Sequence, residues 1–144
     1  MPLEAGEAMA WKYSCWLTLS SLFFLVPAGV AWQAGSRKLF SLYVVTSLVS
    51  ANYWRRCTRG FRRNADLVVA KISFVVTFLE AYDDKTAWAF AAVAGALYGA
   101  SLYFHSVESW WWLPAHGAMH VVITTGMTFV ATLASERAPL LRIW

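Results

Sequence analysis

Apolar residues run almost without interruption through five stretches of the chain, residues 13–32, 39–54, 65–81, 87–104 and 113–133. Each approaches the roughly 20 apolar residues that an α-helix needs to cross the hydrocarbon of a bilayer. A membrane β-barrel would instead alternate apolar and polar positions over segments of about ten residues, and lipid does not tolerate an open sheet edge. The continuous runs therefore predict an all-α, polytopic transmembrane bundle of five helices. Their polar connectors are short, so residues 1–144 are expected to form a single integral membrane domain.

Composition narrows the class further. Hydrophobic residues make up 59% of the chain and charged residues 14%, too little polar surface for a water-soluble domain to cover itself. Ahead of the first run stand Glu4, Glu7 and Lys12. That segment lacks the positive start of a secretory signal and the Arg-rich, acid-poor character of a transit peptide, so the first run is expected to remain as a helix.

The net charge of +4 is unevenly placed, with Arg55, Arg56, Arg59, Arg62 and Arg63 all in the connector between the second and third stretches. The excess of Lys and Arg on cytoplasmic loops puts this connector, and with it the N-terminus, on the cytosolic, matrix or stromal side. Beside the headgroups, the expected partner of these arginines is anionic lipid rather than nucleic acid. Cys15 and Cys57 fall near the same reducing face, where a structural disulfide is not expected.

Polar residues inside a membrane bundle are costly, so their positions carry information. The third stretch bears Asp66, Ser73, Thr77 and Glu80 on one helical side. Asp66 has a plainer alternative role as an N-terminal helix acid with Arg62 or Arg63 as counter-ion, and Lys71 either pairs with it or snorkels. The fifth stretch bears His116, His120, Thr124, Thr128 and Thr132 at four-residue intervals. Two histidines one turn apart can share a metal ion; equally, they can hydrogen-bond to neighbouring helices beside the Trp110, Trp111 and Trp112 belt.

Ser50, Asn52, Tyr53 and Trp54 close the second stretch and His105 closes the fourth. Because successive helices alternate in direction, Ser50, Asp66, His105, His116 and His120 are expected at one depth, on the arginine face. Gly95 and Gly99, with Ala92 and Ala96, form a surface of small residues that lets another helix approach. Pro27 is expected to bend the first helix.

Three of these motifs resemble those of the membrane hydrolase and receptor superfamily that includes the alkaline ceramidases, the progestin and adipoQ receptors and the myomaker-like proteins. Ser50-Ala-Asn-Tyr-Trp54 is similar to its Ser-x-x-x-His motif, Asp66 to its helix-borne Asp, and His116-Gly-Ala-Met-His120 to its final His-x-x-x-His. The resemblance implies a zinc held by three histidines, with Asp and Ser positioning its water for attack on a lipid amide or ester. The chain departs from the pattern twice. Trp54 stands where the first histidine belongs, with His105 the candidate replacement ligand, and five spans replace the seven of the family.

The expected function is accordingly that of a non-catalytic subunit or adaptor of a membrane complex on a degenerate ceramidase-like scaffold, contacting lipid and other membrane subunits. The alternative is a zinc-dependent hydrolase using His116, His120 and His105 as ligands, with Asp66 and Ser50 at the reacting groups. A third is a pigment- or haem-binding membrane subunit using the histidines as axial ligands.

Overall fold

The computed structural model describes residues 9–141, with side chains described as far as Arg137. Glu4, Glu7 and Arg142 lie outside the described residues. Six helices follow one another: α1 Trp11–Leu22, α2 Leu25–Gln33, α3 Arg37–Arg55, α4 Phe61–Glu80, α5 Lys85–Ser106 and α6 Trp112–Leu141. Among the described residues three helices are long and apolar enough to cross a membrane: Trp11–Gln33 taken through its break, Lys85–Ser106 and Trp112–Arg137. This is the pattern of an integral membrane protein. Helices α3 and α4 carry too many polar groups to qualify on the same footing.

The first apolar run is two helices rather than one bent at Pro27. The break falls at Phe23 and Phe24, because a proline ring collides with the carbonyl four residues earlier, here that of Phe23, and supplies no amide of its own. Val26 donates instead to Phe23 O at 3.0 Å, a tightened turn, and both break residues keep right-handed helical backbone. The axis thus continues with a local change of pitch. Helix α2 ends on Gly35 at φ 73°, where Ser36 N reaches Ala31 O at 2.9 Å and Gly35 N reaches Trp32 O at 3.0 Å. This pair of bonds is a Schellman closure, which needs a left-handed residue that glycine supplies without a Cβ clash.

Helix α4 begins four residues before the apolar run, so Arg62 and Arg63 belong to its first turn and only Arg55, Arg56 and Arg59 flank it from the α3 side. Asp66 is consequently too far along the helix to cap it, and the first turn holds no acid. Helix α5 has a clear side-chain cap: Asp84 accepts from Thr86 N at 2.7 Å and from Ala87 N at 3.0 Å.

Two clusters of buried residues hold the bundle together. Leu17, Tyr53, Trp54 and Cys57 pack at the arginine end. Phe24, Leu39, Tyr43, Ala87, Met127 and Val130 belong to the larger cluster toward the other end. That end is also tied by polar pairs, with Lys38 bridging to Glu80 and Arg137 to Asp83 at 3.0 Å. Exposed pairs of this kind add little stability singly, but they join α3, α4 and α6 where α4 turns into α5. Helix α4 leans mainly on α3 and meets α5 and α6 sparsely, with Phe78 against Trp88, ring centroids 4.9 Å apart, beside the connecting turn.

The small-residue surface of α5 behaves differently from its sequence reading. A Cβ added at Gly95 or Gly99 meets nothing within 4 Å, so none of the described helices uses that approach. The close approach is at Gly126 of α6, where an added Cβ would lie 2.9 Å from Phe90 Cβ. We expect Gly126→Ala to lower stability by about 1–3 kcal/mol through overpacking, measured as a lower thermal unfolding midpoint in detergent. Gly99→Ala should leave that midpoint unchanged, and equal midpoints for both variants would contradict the packing.

Candidate functional site

Four of the five residues expected at one depth come together. Ser50, Asp66, His116 and His120 all line one cavity of about 490 Å³ bounded by α3, α4, α5 and α6. The helical spacing explains the pairing on α6: residues four apart stand one above the other, and the two imidazole centroids are 5.0 Å apart. On α4 the same rule turns Asp66, Ser73 and Thr77 inward, while Val68, Ile72 and Leu79 form an exposed apolar stripe on the other side and Val75, also exposed, reaches the edge of the cavity.

The buried Ser21, Ser50, Ser101 and His120, and His116 beside them, each have a polar neighbour, as burial favours. Ser20 Oγ lies 2.8 Å from His120 Nδ1, and Ser101 Oγ 3.3 Å from His116 Nδ1. Among the described residues, Nε2 of neither ring makes a hydrogen bond. Ser21 Oγ is 3.0 Å from Ser50 Oγ, and the Ser50 hydroxyl also neighbours the Asp66 carboxyl. A hydroxyl has one proton, so Ser50 donates either to Asp66 or to Ser21 and accepts otherwise. Asp66 forms no ion pair among the described residues, although Arg62, Arg63 and Lys71 stand within reach in sequence. Ser20, Ser21 and Ser101 were not singled out in the sequence, where the Ser-Ser pair inside the first apolar run was the available signal.

His105 does not join this group. It is exposed near the end of α5, with its ring against Trp112 at 5.6 Å between centroids. Trp54, 6% exposed, occupies the place beside the histidines, its indole edge-on to His116 at 5.2 Å. Phe24 covers His120 from the α1–α2 break at 5.3 Å. Among the described residues no three His, Cys, Asp or Glu side chains converge as a metal-binding group. The donor set therefore does not fit a three-histidine zinc: it offers two imidazoles and an indole, whose nitrogen has no lone pair to give.

The rest of the cavity is mainly apolar, with Ala70, Phe90, Ala94, Met119 and Ile123 among its walls and Thr46 and Thr77 as scattered hydroxyls. Lys71 and Phe74 on α4 and Gly95 and Tyr98 on α5 line it and are exposed. The cavity thus opens sideways between α4 and α5, onto the apolar surroundings. Ser73, 3% exposed and two turns below Asp66, also lines it, and its hydroxyl has no hydrogen-bond partner. A buried hydroxyl without a partner costs about 1–3 kcal/mol, so the cavity is better suited to an occupant that carries a polar group than to a purely apolar one.

We expect Ser20→Ala to cost about 1–3 kcal/mol, because it leaves the almost fully buried His120 without a partner for Nδ1. Chemical or thermal unfolding of the variant in detergent checks this. A variant as stable as the parent would mean that the hydroxyl contributes nothing to holding the ring. Comparison with known proteins returned no matching protein family, curated protein or solved structure.

Proposed function

We propose that this chain is a non-catalytic, lipid-binding integral membrane protein on a ceramidase-like scaffold, working as a subunit or adaptor of a membrane assembly. The observation that carries the reading is the lateral cavity: apolar walls open toward lipid, with Ser50, Asp66, His116 and His120 gathered at one end. Such a shape accepts an acyl chain along its length and a hydroxyl, amide or ester at the polar end. Its volume is within the range of ordinary ligand pockets, roughly 300–1,000 Å³. Trp54 in place of a third imidazole is the reason to assign binding rather than hydrolysis.

This reading takes the bundle as five spans, with α3 and α4 joining the three more apolar ones. Helices of 19 and 20 residues at about 1.5 Å per residue reach close to 30 Å, the thickness of the hydrocarbon. The exposed Val68, Ile72, Val75 and Leu79 give α4 a face that suits lipid, while Asp66, Ser73 and Thr77 turn inward and Lys71 is long enough to snorkel. The arginine end then lies on the cytosolic, matrix or stromal side. Short loops and a large exposed apolar surface suit a subunit whose partners are other membrane helices.

The test is to purify the whole chain in a mild detergent and identify what leaves with it. One molecule of lipid per chain, resolved by native mass spectrometry and by extraction, is the expected result. Extraction in a gentler medium should also bring down a complex larger than the monomer. A chain that carries no lipid sinks the binding reading, and one that is always a free monomer sinks the subunit reading.

A further inference from the structure

The arginine connector has properties that membrane topology alone does not require. Positive charge of either kind orients a membrane protein. Yet between residues 55 and 63 there are five arginines and no lysine, although the chain has four lysines elsewhere. A guanidinium differs from an ammonium in offering a planar fork of donors that fits phosphate oxygens two at a time. Among the described residues, Arg55, Arg59, Arg62 and Arg63 form no ion pair. Arg55, Arg59 and Arg63 are exposed and Arg62 is half-buried.

The frame that presents them is fixed. Cys57 is buried against Leu17, Tyr53 and Trp54, and its thiol donates to Tyr53 Oη at 3.3 Å. Gly60 then turns the chain at φ 119°, a conformation that a side chain rarely adopts, and α4 starts at once. The first turn of this 20-residue helix has no side-chain cap and no acid. Its amides and its positive dipole end therefore add to the field of Arg62 and Arg63. Beside them Phe61 is 87% exposed, the most exposed large apolar side chain among the described residues. An aromatic ring in that position suits insertion at the level of the headgroups and acyl boundary.

We propose that Arg55, Arg59, Arg62, Arg63 and Phe61 form a headgroup site for lipids bearing phosphomonoesters, separate from the lateral cavity. The guanidiniums clamp the doubly charged phosphates and Phe61 holds the loop at the bilayer surface. A singly charged phosphodiester or carboxylate headgroup satisfies fewer of these forks. Nucleic acid offers phosphodiesters only, and gives Phe61 no bilayer to enter.

The test uses the full chain in neutral maltoside micelles near physiological salt, with a fluorescent short-chain phosphatidylinositol bisphosphate as the probe. Binding is expected to be at least about tenfold tighter than for phosphatidylserine at matched total charge. The variant Arg59→Lys/Arg62→Lys/Arg63→Lys keeps the charge and the orientation in the membrane, and should lose about tenfold in affinity for the bisphosphate. In lipid nanodiscs, Phe61→Ser should weaken binding of the lipid but leave competition by soluble inositol trisphosphate unchanged. The proposal is overturned if the lysine variant binds as well as the parent, or if phosphatidylserine matches the bisphosphate. Equal binding of the soluble headgroup and the lipid, or equal competition by single-stranded RNA, overturns it too.

Discussion

Gly95→Phe should leave the protein folded and strip the lateral cavity of its lipid. A Cβ at this position meets nothing within 4 Å, and Gly95 is exposed on the lip of the cavity. A phenyl ring placed there has open space to fill, and that space is the route by which an acyl chain would lie between α4 and α5. No packed neighbour has to move, so the overpacking cost that accompanies Gly126→Ala does not arise. Bound lipid is expected to fall from about one per chain to less than about a tenth of that, the behaviour of a pocket whose volume is taken by a side chain. Extraction and mass spectrometry of the two purified proteins read this directly. Unfolding midpoints of parent and variant should agree within about 4 °C when both are stripped of lipid. The same lipid content in both proteins would mean that the cavity is not where lipid is held.

The choice of glycine matters for the comparison. Ala94 also lines the cavity, but it is 2% exposed and sits in the α5 interface, so enlarging it disturbs packing and occupancy together. Leu39→Ala serves as the opposite control: Leu39 is fully buried and is not among the residues lining the cavity, so the variant should lose about 2–5 kcal/mol of stability and keep lipid. A pair of variants that separates these two effects ties the lipid to the volume between α4 and α5 rather than to the general condition of the bundle.

Much of the architecture was legible because period and length leave few solutions in lipid. The apolar runs located the helical segments, though the first run holds two helices and only three of the described segments are apolar enough to span on their own. The four-residue intervals of the final run put His116 beside His120. The alternation of helix direction then brought Ser50 and Asp66 to the same end. What escaped was governed by contacts that no periodicity reports. The break at Phe23 and Phe24 precedes Pro27 because the proline acts on a carbonyl one turn back. Arg62 and Arg63 became helical because Gly60 turns the chain early. Gly95 and Gly99 looked like a helix-packing surface, yet the tight approach is at Gly126, since closeness depends on which residue faces it across the interface, here Phe90. His105 stands one turn beyond Ser101, against Trp112, and is exposed, because a place near the end of a helix does not set the rotation that aims a side chain inward.

The serines of the first run show the same limit. Ser20 and Ser21 are unremarkable in sequence, and Ser20 became part of the site only because the other end of its hydrogen bond is a histidine 100 residues away. Such pairs are set by which helices are neighbours. Here α1 packs against both α3 and α6, so its hydroxyls reach Ser50 on one side and His120 on the other.

Trp54→His should convert the chain from one that holds zinc poorly to one that holds about one equivalent. Trp54 is buried beside His116, with centroids 5.2 Å apart, and His116 is 5.0 Å from His120. A third imidazole at residue 54 would complete a set of three around a common centre, the minimum for a zinc site that keeps water in its fourth position. The outer shell is already in place: Ser101 and Ser20 stand at the Nδ1 atoms, which fixes the rings and leaves each Nε2 for a metal. The indole nitrogen of Trp54 is buried without a hydrogen-bond partner, so its removal breaks no bond, and the loss is one of packing, about 3–5 kcal/mol at most. Metal binding offsets part of that cost. Elemental analysis after dialysis against a weak chelator distinguishes the two proteins, and His120→Ala in the variant background should remove the metal again. Should the parent already carry one zinc that His120→Ala releases, the non-catalytic reading falls and the hydrolase takes its place. Should Trp54→His stay free of zinc while folded, the alignment of Ser50 and Trp54 with the Ser-x-x-x-His motif is wrong.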